Sequence, residues 1–159
     1  MFRVAIDKNY VILMKKVLMK HAIDDNRPIL LVEDDEVDRM TVKRAMRKLK
    51  IGNALHFAEN GEDALMYLNS NLDNLPCIIL LDINMPRMNG IEFLSIIKQK
   101  PVFRKIPVII LTTSEEAQDR ANAFDLSAAG YIVKPVNFEL FLEVMDSIRK
   151  YWSISKFPD

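Results

Sequence analysis

Short apolar runs alternate with longer amphipathic stretches from Pro28 onward. Five of these runs, at residues 29–32, 54–58, 78–81, 108–111 and 131–133, predict β-strands. The run at 78–81 has no polar alternation, which is typical of a central parallel strand that is covered on both faces. The apolar pattern therefore predicts a parallel sheet.

The first three helices are predicted from apolar spacing and turn residues. Residues 37–49 repeat apolar side chains at three- and four-residue steps, namely Met40, Ala45, Met46 and Leu49. Residues 62–68 form a helix after the Asn60-Gly61 turn, and residues 91–98 form one after a loop at 85–90 that contains Pro and Gly.

Polar caps mark the last two helices. Ser114 is predicted to cap the fourth, with Glu115 and Glu116 in the first turn, where acidic groups complement the helix dipole. Asn137 is predicted to cap the fifth, whose apolar stripe comprises Leu140, Phe141, Val144, Ile148 and Trp152.

Strands alternating with helices predict an α/β sandwich around a parallel sheet. Right-handed crossovers restrict the topology to doubly wound types. In such folds the functional site lies at the carboxyl ends of the strands, near the point where the strand order reverses. The residues that follow each strand are therefore the candidates for chemistry.

Composition narrows the class of protein. The 159 residues, half of them hydrophobic, suit one ordinary domain, and 22 basic against 22 acidic residues give no indication of nucleic-acid binding. Apolar patches near the N-terminus are interrupted by Lys15, Lys16 and Lys20, so we expect neither a membrane span nor a signal peptide. The single Cys77 is interpreted as a buried apolar residue, and a cytoplasmic location is expected.

Chemically active side chains follow four of the predicted strands. These are Glu33, Asp34 and Asp35 after the first, Asp82 after the third, Thr112 and Thr113 after the fourth, and Lys134 with Pro135 after the fifth. Each has an ordinary alternative, since acidic and hydroxyl residues often cap helices and a lysine is usually solvated. Together, they bring carboxylates, a hydroxyl and an ammonium to one edge of the sheet.

Such a set favours phosphoryl chemistry. Clustered carboxylates repel one another, and a hard cation with oxygen ligands such as Mg2+ relieves that repulsion. Lys134 could pair with Asp82 and then hold a phosphoryl oxygen, and Thr112 could donate to another oxygen. Asp82 is the natural nucleophile, because aspartate can form an aspartyl-phosphate.

The chain resembles the receiver domain of two-component response regulators from about Pro28 to Lys150. The resemblance is carried by the ordered segments 29–35, 80–86, 89–90, 107–112 and 130–135. It implies a flavodoxin-like fold with five parallel strands in the order 2-1-3-4-5. It also implies that Asp82 accepts a phosphoryl group from a histidine of a sensor kinase or of a phosphotransfer protein.

The resemblance further implies a Mg2+ site. Asp34 matches a direct ligand, Glu33 a ligand that acts through water, and the backbone carbonyl of Asn84 the third protein ligand beside Asp82. Asp35 does not align with the acidic pair. We interpret Asp35 as a helix-start residue rather than a ligand, and Asp38 as a charge that complements the helix dipole.

Four further residues match the switching machinery of that family. Lys134 matches the phosphate-contacting lysine, and Pro135 the proline that often follows it through a cis peptide bond. Thr112 and Tyr131 match the pair in which the hydroxyl moves toward the phosphoryl group and the aromatic ring turns inward. The face formed by the fourth helix, fifth strand and fifth helix is the expected output surface.

Residues 111–114 and 146–152 are similar to stand-alone receivers that partner bacterial phytochromes and are typically homodimers. Two interpretations of Tyr151 and Trp152 are open: they contribute to a dimer interface, or they close the end of the core.

We expect three regions: an N-terminal extension at 1–27, disordered or helical, a receiver domain at 28–152 and a short tail at 153–159. The tail leaves no room for a DNA-binding or enzymatic domain, so output through contact with a protein target is expected. His21 and His56 have no metal-ligand neighbours at regular spacing and are interpreted as ordinary residues.

Two other functions compete with a phosphorylation switch. A Mg2+-dependent phosphohydrolase would usually need a second carboxylate two residues after the nucleophile, and that position holds Asn84, which argues against fast turnover. A receiver-like scaffold that no longer responds to phosphate is the third class, although all the matching site residues are present.

Overall fold

The computed structural model describes residues 27–154. Five strands and five helices alternate along them. The strands are β1 (Ile29–Val32), β2 (Leu55–Ala58), β3 (Ile78–Leu81), β4 (Val108–Thr112) and β5 (Gly130–Val133). The helices are α1 (Glu36–Lys48), α2 (Gly61–Ser70), α3 (Gly90–Gln99), α4 (Ala117–Asp125) and α5 (Phe138–Ile154).

All strand pairs are parallel, and the sheet has the order β2-β1-β3-β4-β5, which confirms the predicted flavodoxin-like topology. In the register between β1 and β3, Val32 pairs with Leu81. Their successors, Glu33 and Asp82, therefore leave the sheet side by side, at the point where the strand order reverses.

Two apolar layers enclose the sheet. Side chains of β1, β3 and β4 alternate between them, and every residue of these strands is buried. One layer packs against α2, α3 and α4, with Phe93 and Leu94 at its centre. The other packs against α1 and α5, and Trp152 is buried within it. The three-layer sandwich is thus confirmed, and Trp152 closes one end of the core.

The start of α4 differs from the prediction. α4 begins at Ala117, and its N-terminal flanking residue Glu116 makes no side-chain capping bond. The Ser114 hydroxyl instead donates to Asp119 Oδ2 at 2.6 Å and accepts the Glu116 amide at 3.3 Å. Ser114 therefore ties the loop to the helix rather than capping it. The predicted cap at Asn137 is confirmed, since its side chain accepts the amide of Glu139 at 2.8 Å.

The buried faces of α1 and α5 are rotated relative to the prediction. Met40 in α1 is exposed, while Val42 joins the core together with Ala45 and Met46. Leu140 in α5 is exposed, and the buried positions are Phe141, Leu142, Met145 and Trp152. The apolar positions of these helices outnumber those that the sheet can cover, so spacing alone left the rotation open.

Several further predictions have definite outcomes. Cys77 is buried and not disulfide-bonded, and His56 lies in β2. Within residues 27–154, no helix is long and apolar enough to span a membrane. The predictions about residues 1–26, His21 and residues 155–159 concern positions outside the described residues.

We expect Gly90→Ala to destabilise the protein by about 3 kcal/mol, because a Cβ at Gly90 would lie 2.1 Å from the Asp82 carbonyl oxygen and meet backbone that cannot yield. Urea unfolding monitored through the single tryptophan, Trp152, measures this. Gly52→Ala is the matched control, since its Cβ would meet nothing within 4 Å. Equal effects of the two substitutions would contradict the close approach.

Candidate functional site

Three carboxylates meet at the carboxyl ends of β1 and β3. Glu33, Asp34 and Asp82 each offer an oxygen, and these oxygens lie within 4.8 Å of one another. Backbone bonds fix the cluster, because the Glu33 amide donates to Ala58 O at 2.9 Å and the Asp82 amide donates to Val32 O at 3.0 Å. Glu33 and Asp82 are buried, whereas Asp34 is exposed. The structure thus brings together three predicted site residues, and Glu33 and Asp82 lie in a buried environment of low dielectric constant.

The Asp82 carboxylate is held on one side and open to Lys134 on the other. Its Oδ1 accepts the amide of Ile83 at 2.9 Å. Its Oδ2 lies 3.9 Å from Lys134 Nζ. The loop after Asp82 returns closely to it, since the Gly90 amide donates to Ile83 O at 2.9 Å. One oxygen is therefore fixed by backbone, and the other faces a cation.

Lys134 lies among carboxylates on three sides. Its ammonium donates to Glu33 in a short hydrogen bond and to Asp38 Oδ2 at 2.8 Å. Burial alone would lower the pKa of Lys134, but the bonds to Asp38 and Glu33 and the charge of Asp82 outweigh burial and raise that pKa above its ordinary value. Lys134 is therefore a firmly protonated cation at the site.

The pKa of Glu33 is raised to about 7. Burial is the largest cause, and the neighbouring charge of Asp82 acts in the same direction. The hydrogen bond from Lys134 and the Asp35 amide, which donates to Glu33 Oε1 at 3.2 Å, act against this. The cluster is short of positive charge, since one ammonium contacts Glu33, Asp38 and Asp82.

Part of the site lies in the first turn of α1 and was not predicted from the sequence. Asp35 is the N-cap, as predicted, and accepts the Asp38 amide at 2.9 Å. Asp38, interpreted only as a dipole-complementing charge, also pairs with Lys134. Arg39 donates to the backbone carbonyls of Glu33 and Asp34 at 2.9 and 3.0 Å. The sequence did offer one signal for these contacts. Asp38 and Arg39 fall in the first turn of a helix that begins directly after Asp34 and Asp35, so they were bound to lie near the acidic pair.

The two predicted switch residues converge on Ser114. Thr112 is fully buried at the end of β4, and its Oγ1 accepts the Ser114 amide at 3.3 Å. Tyr131 is half-buried on β5, and its hydroxyl donates to the Ser114 carbonyl at 3.0 Å. The Lys134 amide donates to Thr112 O at 2.8 Å, which joins this pair to the charged cluster through backbone.

Two residues from the sequence prediction stand apart from these contacts. Asn84 is exposed two residues after Asp82, and its role as a carbonyl ligand stays a prediction. The family resemblance suggested a cis peptide bond before Pro135. The structure does not have it, because the peptide bonds between described residues are all trans. The trans form is the ordinary outcome before proline, favoured by about 0.5–1 kcal/mol.

The donor set fits a hard divalent cation. It offers carboxylate oxygens from three residues within 4.8 Å, one of them on the exposed Asp34, where an ion and its waters can enter. A second positive charge would also favour the ionised form of Glu33, whose pKa is raised by burial. Glu33, Asp34 and Asp82 are the residues that could hold such an ion.

Two related proteins are similar in sequence to this chain over most of its length. The probable methanogenesis regulatory protein FilR2 of Methanothrix harundinacea is 35% identical over 127 residues, which cover 78% of this chain and 82% of FilR2. The response regulator Rcp1 of Synechocystis is 32% identical over 136 residues, covering 81% of this chain and 92% of Rcp1.

Solved structures agree in fold. The phosphorylated cyanobacterial phytochrome response regulator RcpA superposes with a TM-score of 0.78 at 30% identity, covering 84% of this chain and 99% of RcpA. The Mn2+-bound form of Rcp1 gives a TM-score of 0.74 at 30% identity, covering 84% of this chain and 99% of that chain. The family model of the response regulator receiver domain matches residues 29–146. The chain therefore belongs to the response regulator receiver domain family.

Proposed function

We propose that this chain is a switch that is set by phosphorylation of Asp82. The observation that carries the proposal is the buried Asp82 carboxylate beside Glu33 and Asp34, with Lys134 Nζ 3.9 Å away. In this proposal a sensor histidine kinase or a phosphotransfer protein supplies the phosphoryl group. The phosphorylated chain then acts by contact with a protein target.

The transfer is a simple displacement at phosphorus. A carboxylate oxygen of Asp82 forms the new bond, the bond from phosphorus to the donor's histidine nitrogen breaks, and that nitrogen keeps the electron pair. Lys134 is near enough to hold a phosphoryl oxygen after a small movement of its ammonium. The Thr112 hydroxyl has a hydrogen left to donate, because its oxygen only accepts from Ser114.

Mg2+ is the proposed cofactor. When bound, it neutralises charge on the phosphoryl oxygens. Asp34 and Asp82 would hold it directly, Glu33 through water, and Asn84 through its backbone carbonyl. The Mn2+-bound form of Rcp1 supports a divalent ion in this family, and the three-carboxylate cluster supports one here.

The proposed readout runs through Ser114. If the Thr112 hydroxyl turns toward a phosphoryl oxygen, the Ser114 amide loses its acceptor. The hydrogen bond from Tyr131 to the Ser114 carbonyl must then adjust, and the ring moves with it. Tyr131 lies on the edge strand β5, which contacts α4 and whose Ile132 lines a groove with residues of α5.

Rapid hydrolytic turnover is disfavoured. Asn84, two residues after Asp82, offers an amide where phosphohydrolases of related fold usually have an acid/base carboxylate. We therefore propose a signalling protein with at most slow self-dephosphorylation. RcpA is a cyanobacterial phytochrome response regulator, which supports a phytochrome-like kinase as the partner of this chain. A reducing, cytoplasmic location suits Cys77, which is buried and not part of a disulfide.

We also propose a homodimer that uses the surface of α4, β5 and α5. An apolar groove of about 570 Å3 lies along β5 and α5, lined by Ile132, Pro135, Leu140, Val144, Ile148 and Tyr151. Leu140 and Tyr151 are both more than half exposed. An exposed aromatic at the end of α5 suits an interface between two copies, because aromatic side chains are enriched at the centre of such contacts.

The first prediction from this proposal concerns the acceptor. With Mg2+ and a small phosphodonor, the wild-type chain should gain the mass of one phosphoryl group, and Asp82→Asn should gain none, because an amide oxygen is a poor nucleophile. Intact-protein mass spectrometry measures both. Asp73→Asn, at an exposed aspartate after α2, is the control and should be phosphorylated like wild type. Phosphorylation of Asp82→Asn would refute the assignment.

The second prediction separates Asp34 from Asp35. Asp34→Asn should weaken Mg2+ binding by roughly tenfold or more, because it removes a charged ligand. Asp35→Asn should leave the affinity nearly unchanged, because asparagine keeps the N-cap bond that Asp35 makes to the Asp38 amide. Calorimetric titration with MgCl2 decides between them, and equal losses would show that Asp35 is a ligand as well.

The third prediction concerns assembly. We expect analytical ultracentrifugation to show a dimer, either of the unmodified chain or once beryllofluoride mimics a phosphoryl group on Asp82. Leu140→Ser should shift it toward monomer, since it removes an apolar side chain from the groove. Leu72→Ser is the matched control, with 55% exposure against 52% for Leu140. A chain that stays monomeric with and without beryllofluoride would refute the dimer.

A further inference from the structure

The ammonium of Lys134 is occupied before any phosphoryl group arrives. It lies 2.8 Å from Asp38 Oδ2 and makes the short bond to Glu33, while Asp82 Oδ2 is 3.9 Å away. A charge-assisted bond to an oxygen on Asp82 needs about 2.7–2.9 Å. Lys134 must therefore move by about 1 Å toward Asp82 to contact it, and away from a present partner.

Asp38 is the partner that is positioned to release Lys134. The Glu33 side chain is 2% exposed, so breaking its bond would leave a buried carboxylate unpaired. The Asp38 side chain is 38% exposed, so water can replace the ammonium at little cost. The ion pairs of Lys134 with Glu33 and Asp38 thus differ in burial, and the pair with Asp38 costs less free energy to break.

Asp38 is nevertheless held in place by its backbone. It occupies the third position of α1, where its amide donates to the Asp35 side chain at 2.9 Å. The next residue, Arg39, binds the carbonyls of Glu33 and Asp34. The backbone of Asp38 is therefore held without help from Lys134, so the Asp38 carboxylate extends toward the site from a fixed point.

We propose that Asp38 is a positioning residue that holds Lys134 back from Asp82 and thereby weakens the phosphorylated state. The inference rests on the proposed function of Asp82. A phosphorylated side chain carries about two negative charges near neutral pH, so Asp38 opposes it in two ways. It competes for Lys134, and it repels the phosphoryl oxygens.

The same contact links distant strands. Lys134 follows β5, and Asp38 belongs to the helix after β1, while β3 and β4 lie between these strands in the sheet. Transfer of Lys134 from Asp38 to a phosphoryl oxygen therefore removes a bond between α1 and the end of β5. Occupation of the site is in this way communicated to the surface of α1 as well as to Ser114.

Asp38→Asn tests the inference. The variant keeps the shape of the side chain and removes its charge, so beryllofluoride in the presence of Mg2+ should bind roughly fivefold tighter than to wild type. Titration calorimetry measures the affinity. Glu36→Gln is the matched control, since it removes an exposed charge from the same helical turn at a residue that is not part of the Lys134 ion pairs.

A purely structural role for Asp38 would change the free energy of unfolding and leave beryllofluoride affinity unchanged. Asp38→Glu supplies a second readout, because it restores a carboxylate and should return the affinity toward the wild-type value. Unchanged or weaker binding by Asp38→Asn, or equal tightening by Glu36→Gln, overturns the inference and leaves the proposed function intact. Failure of the wild-type chain to bind beryllofluoride overturns both.

Discussion

The register between β1 and β3 imposes the central constraint on this molecule. Pairing of Val32 with Leu81 makes Glu33 and Asp82 emerge together, both buried, at one edge of the sheet. Two like charges in that position cost free energy unless cations compensate them. The backbone bonds of the sheet are strong enough to hold the carboxylates there, so the surroundings must supply the positive charge. The ion pairs of Lys134, the raised pKa of Glu33 and the fit of the three carboxylates to a divalent ion are all consequences of this placement.

The site is spread over elements that are far apart in sequence, and this suits it to communication. Carboxylates come from β1 and β3, the hydroxyl from β4, and the ammonium from β5. The Lys134 amide bonds to Thr112 O, and Thr112 and Tyr131 meet at Ser114. A change in charge at Asp82 therefore acts on four strand ends at once.

Much of this could be predicted from sequence because the signals were local and unbroken. The apolar runs of β1, β3 and β4 marked the strands, and the polar residues immediately after them marked the site. The predictions that were wrong or incomplete concern helix rotation and side-chain partners, which depend on tertiary contacts. Whether Met40 or Val42 faces the core depends on how α1 lies on the sheet. Asp38 bonds to Lys134 only because folding brings distant segments together, and Ser114 bonds to Asp119 because of the local course of the loop before α4. No periodicity encodes those pairs.

The close fit of Gly90 makes the packing around Asp82 tighter on one side than on the other. The backbone of α3 begins against the Asp82 carbonyl with no room for a side chain, and its first turn is closed by a reciprocal capping box between Asn89 and Glu92. By contrast, α4 starts without a side-chain cap, and β5 has no fully buried residue. Packing is thus tight where α3 meets Asp82 and looser at α4 and β5. A displacement that began at Asp82 would meet less resistance toward α4 and β5 than toward α3, so packing would give it a direction before any partner binds.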